Sequence, residues 1–151
     1  SNLANNAARY RNINGVHLSD HFGLWEKCWS VCINEPVRGG ATMVKHKPKG
    51  GGMNAARASA LNSGMSYVHG HLHSQKVTPI TDYNGDRYGV DAGCIADPSY
   101  KQFVNYTEDA PLDWRSGFCL LTYKDGRLLM PELVSVWDDR SVQFRGEVIR
   151  V

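Results

Sequence analysis

Three of the chain's six histidines fall in one eight-residue stretch, Tyr67-Val68-His69-Gly70-His71-Leu72-His73-Ser74. Imidazole is the commonest metal ligand among side chains. Alternate residues of an extended chain share a face, so His69, His71 and His73 would line one side if the extended run continues through them. Gly70 lets the backbone turn and lets a bulky neighbour approach. The cluster closes an apolar run, Met65 to His69, and does not lie in a terminal tail, which favours a built metal site over a tag-like surface cluster. A fourth imidazole, His46, closes another such run, Ala41 to His46.

The elements that must position these groups can be read from the intervening residues. Ala41 to His46 is strand-like and is stopped by Pro48 and the glycines Gly50-Gly51-Gly52, which permit a tight turn. Met53 to Ser63 (MNAARASALNS) is alanine-rich and helical by propensity, and Gly64 suits its C-cap. The strand from Met65 to His69 follows. Strand, glycine loop, helix and strand make a βαβ unit, which favours a parallel pair whose carboxyl ends lie on one sheet edge. Ligands in open α/β sheets bind beyond that edge, so His46 is expected to converge with His71 and His73.

The remaining segments are mostly β. Trp25 to Ile33 alternates apolar and polar residues and reads as a strand that hairpins with Ala41 to His46. Lys76 to Thr81 and Arg87 to Asp91 read as a hairpin over Tyr83-Asn84-Gly85-Asp86. Residues 97–111 read as a polar loop, and residues 1–12 as a short surface helix or tail. Gly117 to Tyr123, Leu128 to Trp137 and Val142 to Val148 read as antiparallel strands, with Asp125-Gly126 as a hairpin turn. The expected architecture is α/β (α+β), one βαβ unit followed by an antiparallel C-terminal sheet, in a single domain over residues 1–151.

At 151 residues the chain can bury roughly 70% of its unfolded surface. A net charge of +2, with charges interspersed, neither argues for nucleic acid nor excludes it. No apolar run approaches the roughly 20 residues of a membrane span, and no signal-peptide pattern is read, so no membrane partner is expected. Cys28, Cys32, Cys94 and Cys119 lie in or beside apolar runs. They read as reduced core cysteines of a cytoplasmic protein; Cys28 and Cys32 as half of a zinc site is the competing reading.

A strand ending in His46, a glycine-rich loop and helix, and a strand running into Gly70-His71-x-His73 together resemble the C-terminal half of a calcineurin-like metallophosphoesterase. The runs Gly89-Val90-Asp91-Ala92-Gly93-Cys94 and Asp113-Trp114-Arg115-Ser116-Gly117-Phe118 are similar to phage-encoded members of that family. The resemblance covers roughly residues 40–135 and implies part of a β-sandwich flanked by helices, with two divalent metal ions at its strand ends. It implies that His46 and His71 are ligands of the second metal and His73 a ligand of the first, with His69 supporting or packing behind them. A virus- or phage-encoded protein in a host cytoplasm fits the same resemblance.

The family's earlier motifs, Asp-x-His, Gly-Asp-x-x-Asp and Gly-Asn-His-Asp/Glu, do not occur in residues 1–45. They supply the bridging carboxylate and the leaving-group acid. The only Gly-Asp, Gly85-Asp86, falls in the expected turn. Two metals held by three neutral imidazoles is not a stable arrangement, so the expectation is a C-terminal fragment that carries one metal or none (Mn or Zn, or Fe) and is inactive without the missing part. Lys45 and Ser74 are candidate phosphate contacts. The function expected of the intact parent is phosphomono- or phosphodiester hydrolysis by a metal-activated water, on a nucleic acid, a nucleotide or a smaller phosphoester. The alternative is a non-catalytic interaction module, pairing through exposed sheet edges with the missing half or with a second copy as a homodimer. A third reading is a mononuclear zinc hydrolase using His69, His71 and His73, with Asp82, Asp91 and Asp97 as the nearby acids.

Overall fold

The computed structural model describes residues 28–34, 41–97 and 113–151. The segment 1–12, expected as a short surface helix or tail, and most of the loop over 97–111 lie outside the described residues. The first sheet has five strands in the order β1-β2-β3-β5-β4. They are β1 (Ser30–Asn34), β2 (Ala41–Lys45), β3 (Ser66–His69), β4 (Gln75–Asp82) and β5 (Gly85–Ala92). Helix α1 (Ala55–Ser63) connects β2 to β3. The pair is parallel, with Val44 opposite Val68, as the βαβ pattern requires. β1 runs antiparallel to β2 and β4 antiparallel to β5.

β3 is the middle strand of the sheet and every one of its residues is buried, which is why it reads as an unbroken run and not as an alternation. Helix α1 covers one face of the sheet with small side chains, Ala55, Ala56, Ser59 and Ala60. The approach is so close that a Cβ on Gly89 of β5 would stand 2.3 Å from the Ala56 carbonyl oxygen. Ala60, Tyr67 and Ile80 form the core beneath it, with Met43 against them. Gly64 ends the helix in the left-handed conformation, φ 71°, its N–H donating to the Ala60 carbonyl.

The second sheet is antiparallel, in the order β11-β10-β9-β6. It comprises β6 (Gly117–Leu120), β9 (Glu132–Asp138), β10 (Ser141–Phe144) and β11 (Glu147–Arg150), and a small hairpin, β7 (Tyr123–Lys124) and β8 (Arg127–Leu128), is set between β6 and β9. Gln75 joins the sheets from the face of β4 opposite the helix: its amide N–H donates to the Val134 carbonyl at 2.8 Å, and its carbonyl accepts from Ser135 Oγ. The mixed α+β fold with one βαβ unit is therefore the one expected.

Several boundaries differ from the expectation. The run Val142 to Val148 is two strands, because Arg145 and Gly146 both adopt positive φ, 51° and 80°, and fold it into a two-residue hairpin. Gly117 to Tyr123 breaks after Leu120, and the strand expected from Leu128 begins at Glu132. Cys28 and Cys32 are exposed, not core, and none of the four cysteines is in a disulfide. Among the described residues no helix is long and apolar enough to cross a membrane.

Candidate functional site

β2, β3 and β5 are mutually parallel through β3, so their carboxyl ends share one edge. His46 follows β2, His69 ends β3, and Asp91 lies at the end of β5 as the register partner of His69. The histidine stretch does not stay extended beyond His69. His71 and His73 have φ of 64° and 67°, in the left-handed region, so the three imidazoles do not line one strand face. His69 stays in the sheet, 2% exposed, while His71 turns out to the surface.

That turn delivers His71 to His46. Nδ1 of His71 lies 3.3 Å from Nε2 of His46, and the rings meet edge to face at a centroid distance of 5.1 Å. Two nitrogens each bound to a tetrahedral zinc at its usual bond length stand about 3.3–3.4 Å apart, so the separation fits two ligands of one ion. Tyr67 holds the His46 side of the pair by donating its hydroxyl to the Lys47 carbonyl at 2.8 Å, and Ser59 accepts the Lys49 N–H at 2.8 Å. Desolvation lowers the His71 pKa, and the nearby cationic forms of His46, Lys47, His73 and His69 lower it further. The imidazole is thereby kept neutral, the form that offers a lone pair. Among the described residues no group of three or more His, Cys, Asp or Glu side chains is placed to hold a metal ion; the His46–His71 pair is a two-nitrogen site that needs further donors.

His73 packs instead against Trp114, ring edge to face at 4.3 Å, and its Nδ1 is buried without a hydrogen-bond partner. Arg115 N–H donates to the His73 carbonyl at 2.8 Å, tying the segment before β6 to the histidine loop. His69 Nδ1 lies 2.7 Å from the Gly70 carbonyl, an acceptor only, so Nδ1 carries the proton and Nε2 is left as a buried lone pair without a partner. Lys45 is exposed at the end of β2. Ser74 Oγ donates to Oδ2 of Asp91 at 2.7 Å.

Sequence reading ranks Asp91 no higher than Asp82 and Asp97. The parallel pairing of β5 with β3 singles it out, 2% exposed, beneath the loop that carries His71 and His73. Asp82 is at the far end of the hairpin, paired with Arg87. Trp114, quoted for the resemblance without a role, proves to be a neighbour of His73.

No protein-family model matches the chain. Gene 54 protein of Mycobacterium phage L5 is 31% identical over 94 residues, which take in 57% of this chain and 36% of the phage protein. Among solved structures, a single mutant of Vps29 from Entamoeba histolytica superposes with a TM-score of 0.50 at 15% identity, covering 84% of this chain and 65% of that one. The chain thus spans about a third of the phage relative and under two thirds of the Vps29 chain. The Vps29 likeness shows the fold alone, a mixed α+β arrangement shared with that protein.

Proposed function

We propose that this chain supplies the histidine side of a divalent-metal phosphoesterase site of the phage type. His46 and His71 hold one metal ion and His73 contributes to a second, with Mn, Zn or Fe as the candidates. The observation that carries this reading is the 3.3 Å separation of His46 Nε2 and His71 Nδ1 at the carboxyl edge of parallel strands. A metal bound there would supply an activated water and charge stabilisation for attack on phosphorus. On this reading Lys45, exposed at the end of β2, would meet phosphate oxygens, whereas Ser74, with its proton committed to Asp91, would act chiefly by holding the loop. Because the described residues bring no carboxylate to the imidazole pair, catalysis on this reading draws its bridging carboxylate and its general acid from residues outside those described. The test is hydrolysis of bis(p-nitrophenyl) phosphate by the full-length protein with Mn²⁺: activity lost in His71→Ala and in His46→Ala is expected, and unchanged activity in both variants would remove the reading.

A second reading, a non-catalytic interaction module, is favoured by one observation. Phe118, Leu120, Val136 and Ile149 are all exposed on the second sheet, a surface that suits a protein partner. Sedimentation of the chain over a range of concentrations tests it: self-association that a Val136→Lys substitution abolishes is expected on this reading, and a monomer throughout counts against a homodimer.

A further inference from the structure

We infer that the cleft between Trp114 and Trp137 is a nucleobase-binding site, so that the phosphoester handled at the histidines is a nucleotide; the inference rests on the phosphoesterase reading above. The cavity measures about 690 Å³, within the range of small-molecule sites. Trp114 and Arg115 come from the segment before β6, Trp137 from β9 and Gln143 from β10, and three acidic residues, Asp97, Asp138 and Asp139, also line it.

Its place relative to the histidines is fixed by three contacts. Arg115 N–H donates to the His73 carbonyl at 2.8 Å. The Trp114 ring stands edge-on to His73 at 4.3 Å. Val136 N–H donates to the Ser116 carbonyl at 2.8 Å, which brings Trp137 alongside the same segment. The cleft therefore begins one ring's breadth from His73, on the edge where β2, β3 and β5 end.

The lining matches a base better than another small group. Indole faces stack on flat heteroaromatic rings without regard to sequence, and Trp137 is left 62% exposed at the rim. Base edges carry both donors and acceptors. The Asp139 carboxylate can accept from ring or exocyclic N–H groups, and the Gln143 amide can do either. Aromatic rings beside carboxylates would also suit an organic cation. With three carboxylates, Asp97, Asp138 and Asp139, against the single cation Arg115 in the lining, the phosphate of the ligand lies toward the histidines and not in the cleft, and the choline phosphate arm of the test separates a base from an organic cation.

The test is titration of the zinc-loaded protein with adenosine, AMP, ribose 5-phosphate and choline phosphate, read by tryptophan fluorescence and calorimetry. AMP is expected to bind about tenfold or more tighter than ribose 5-phosphate. Trp137→Leu should bring AMP down to the ribose 5-phosphate level while leaving zinc and ribose 5-phosphate affinity unchanged, and Trp137→Phe should restore the preference. Equal affinity for AMP and ribose 5-phosphate, an AMP preference indifferent to Trp137→Leu, or a preference for choline phosphate would overturn the inference. If zinc and ribose 5-phosphate fail to bind, the phosphoesterase reading fails. Adenosine still decides the cleft in that case, since binding lost in Trp137→Leu supports it and absence of binding overturns it.

Discussion

Ser74 Oγ donates a 2.7 Å hydrogen bond to Oδ2 of Asp91, a carboxylate buried at the end of the neighbouring parallel strand. Through its other oxygen Asp91 accepts from the Gly93 N–H at 3.4 Å, and it stands 3.9 Å from His69 Nδ1. One side chain thus fastens the far end of the loop that bears His71 and His73 to the sheet. Both histidines hold a left-handed backbone conformation, which costs an L-residue about 1–2 kcal/mol, so the loop needs an anchor to keep its shape.

Removing that anchor should be visible in two measurements. Asp91→Ala leaves the Ser74 hydroxyl and the Gly93 N–H without their acceptor and should cost about 1–3 kcal/mol in chemical denaturation. Zinc affinity should fall by about tenfold or more as the ligand-bearing loop loosens. Asp91→Asn keeps an acceptor for Ser74 and should recover most of both losses. Unchanged zinc affinity in Asp91→Ala would mean that the loop holds its shape without the carboxylate.

Gly89→Ala probes the packing of helix on sheet. The added Cβ meets the Ala56 carbonyl carbon and oxygen at 2.5 and 2.3 Å, and backbone of a packed helix cannot yield locally. Overpacking of this kind should destabilise the protein by about 1–3 kcal/mol, read as a lowered denaturation midpoint. A variant as stable as the parent would mean that α1 moves off the sheet without cost.

The Asp82–Arg87 pair makes stability depend on pH. The Arg87 side-chain hydrogen bonds chiefly, and the Asn84 N–H after them, hold the Asp82 carboxyl below its ordinary range. A carboxylate with a depressed folded-state pKa adds stability that is fully present above its unfolded pKa of about 3.9 and is lost as pH falls through the folded value. Asp82→Asn should therefore be less stable than the parent at neutral pH, and the two should converge as the pH falls through the depressed folded-state value. A gap of constant size across that range would contradict the assignment.

Much of this arrangement is legible in the sequence, and the exceptions have identifiable causes. The βαβ unit is written in the apolar run Ala41 to His46, the alanine-rich helix and the Gly64 cap, and its topology brings His46 and the histidine loop to one sheet edge, where the left-handed turn at His71 completes the approach. Hairpin signals likewise fix β4 against β5. They say nothing of β5 lying parallel to β3, a long-range pairing with no local signature, and so the place of Asp91 is hidden. The alternation assumed for His69, His71 and His73 fails because two of them turn left-handed, a conformation that non-glycine residues rarely advertise. Asp125-Gly126 is a recognisable two-residue turn; Arg145-Gly146 adopts the same pair of positive φ angles but offers only its glycine as a signal.

The most direct test of the account is a calorimetric zinc titration of the chelator-stripped protein at neutral pH, carried out on the parent, His46→Ala, His71→Ala and His69→Ala. Binding in the parent, lost in the first two variants and largely kept in His69→Ala, is the result expected if His46 Nε2 and His71 Nδ1 share an ion. No binding in the parent, or binding abolished only by His69→Ala, would contradict it.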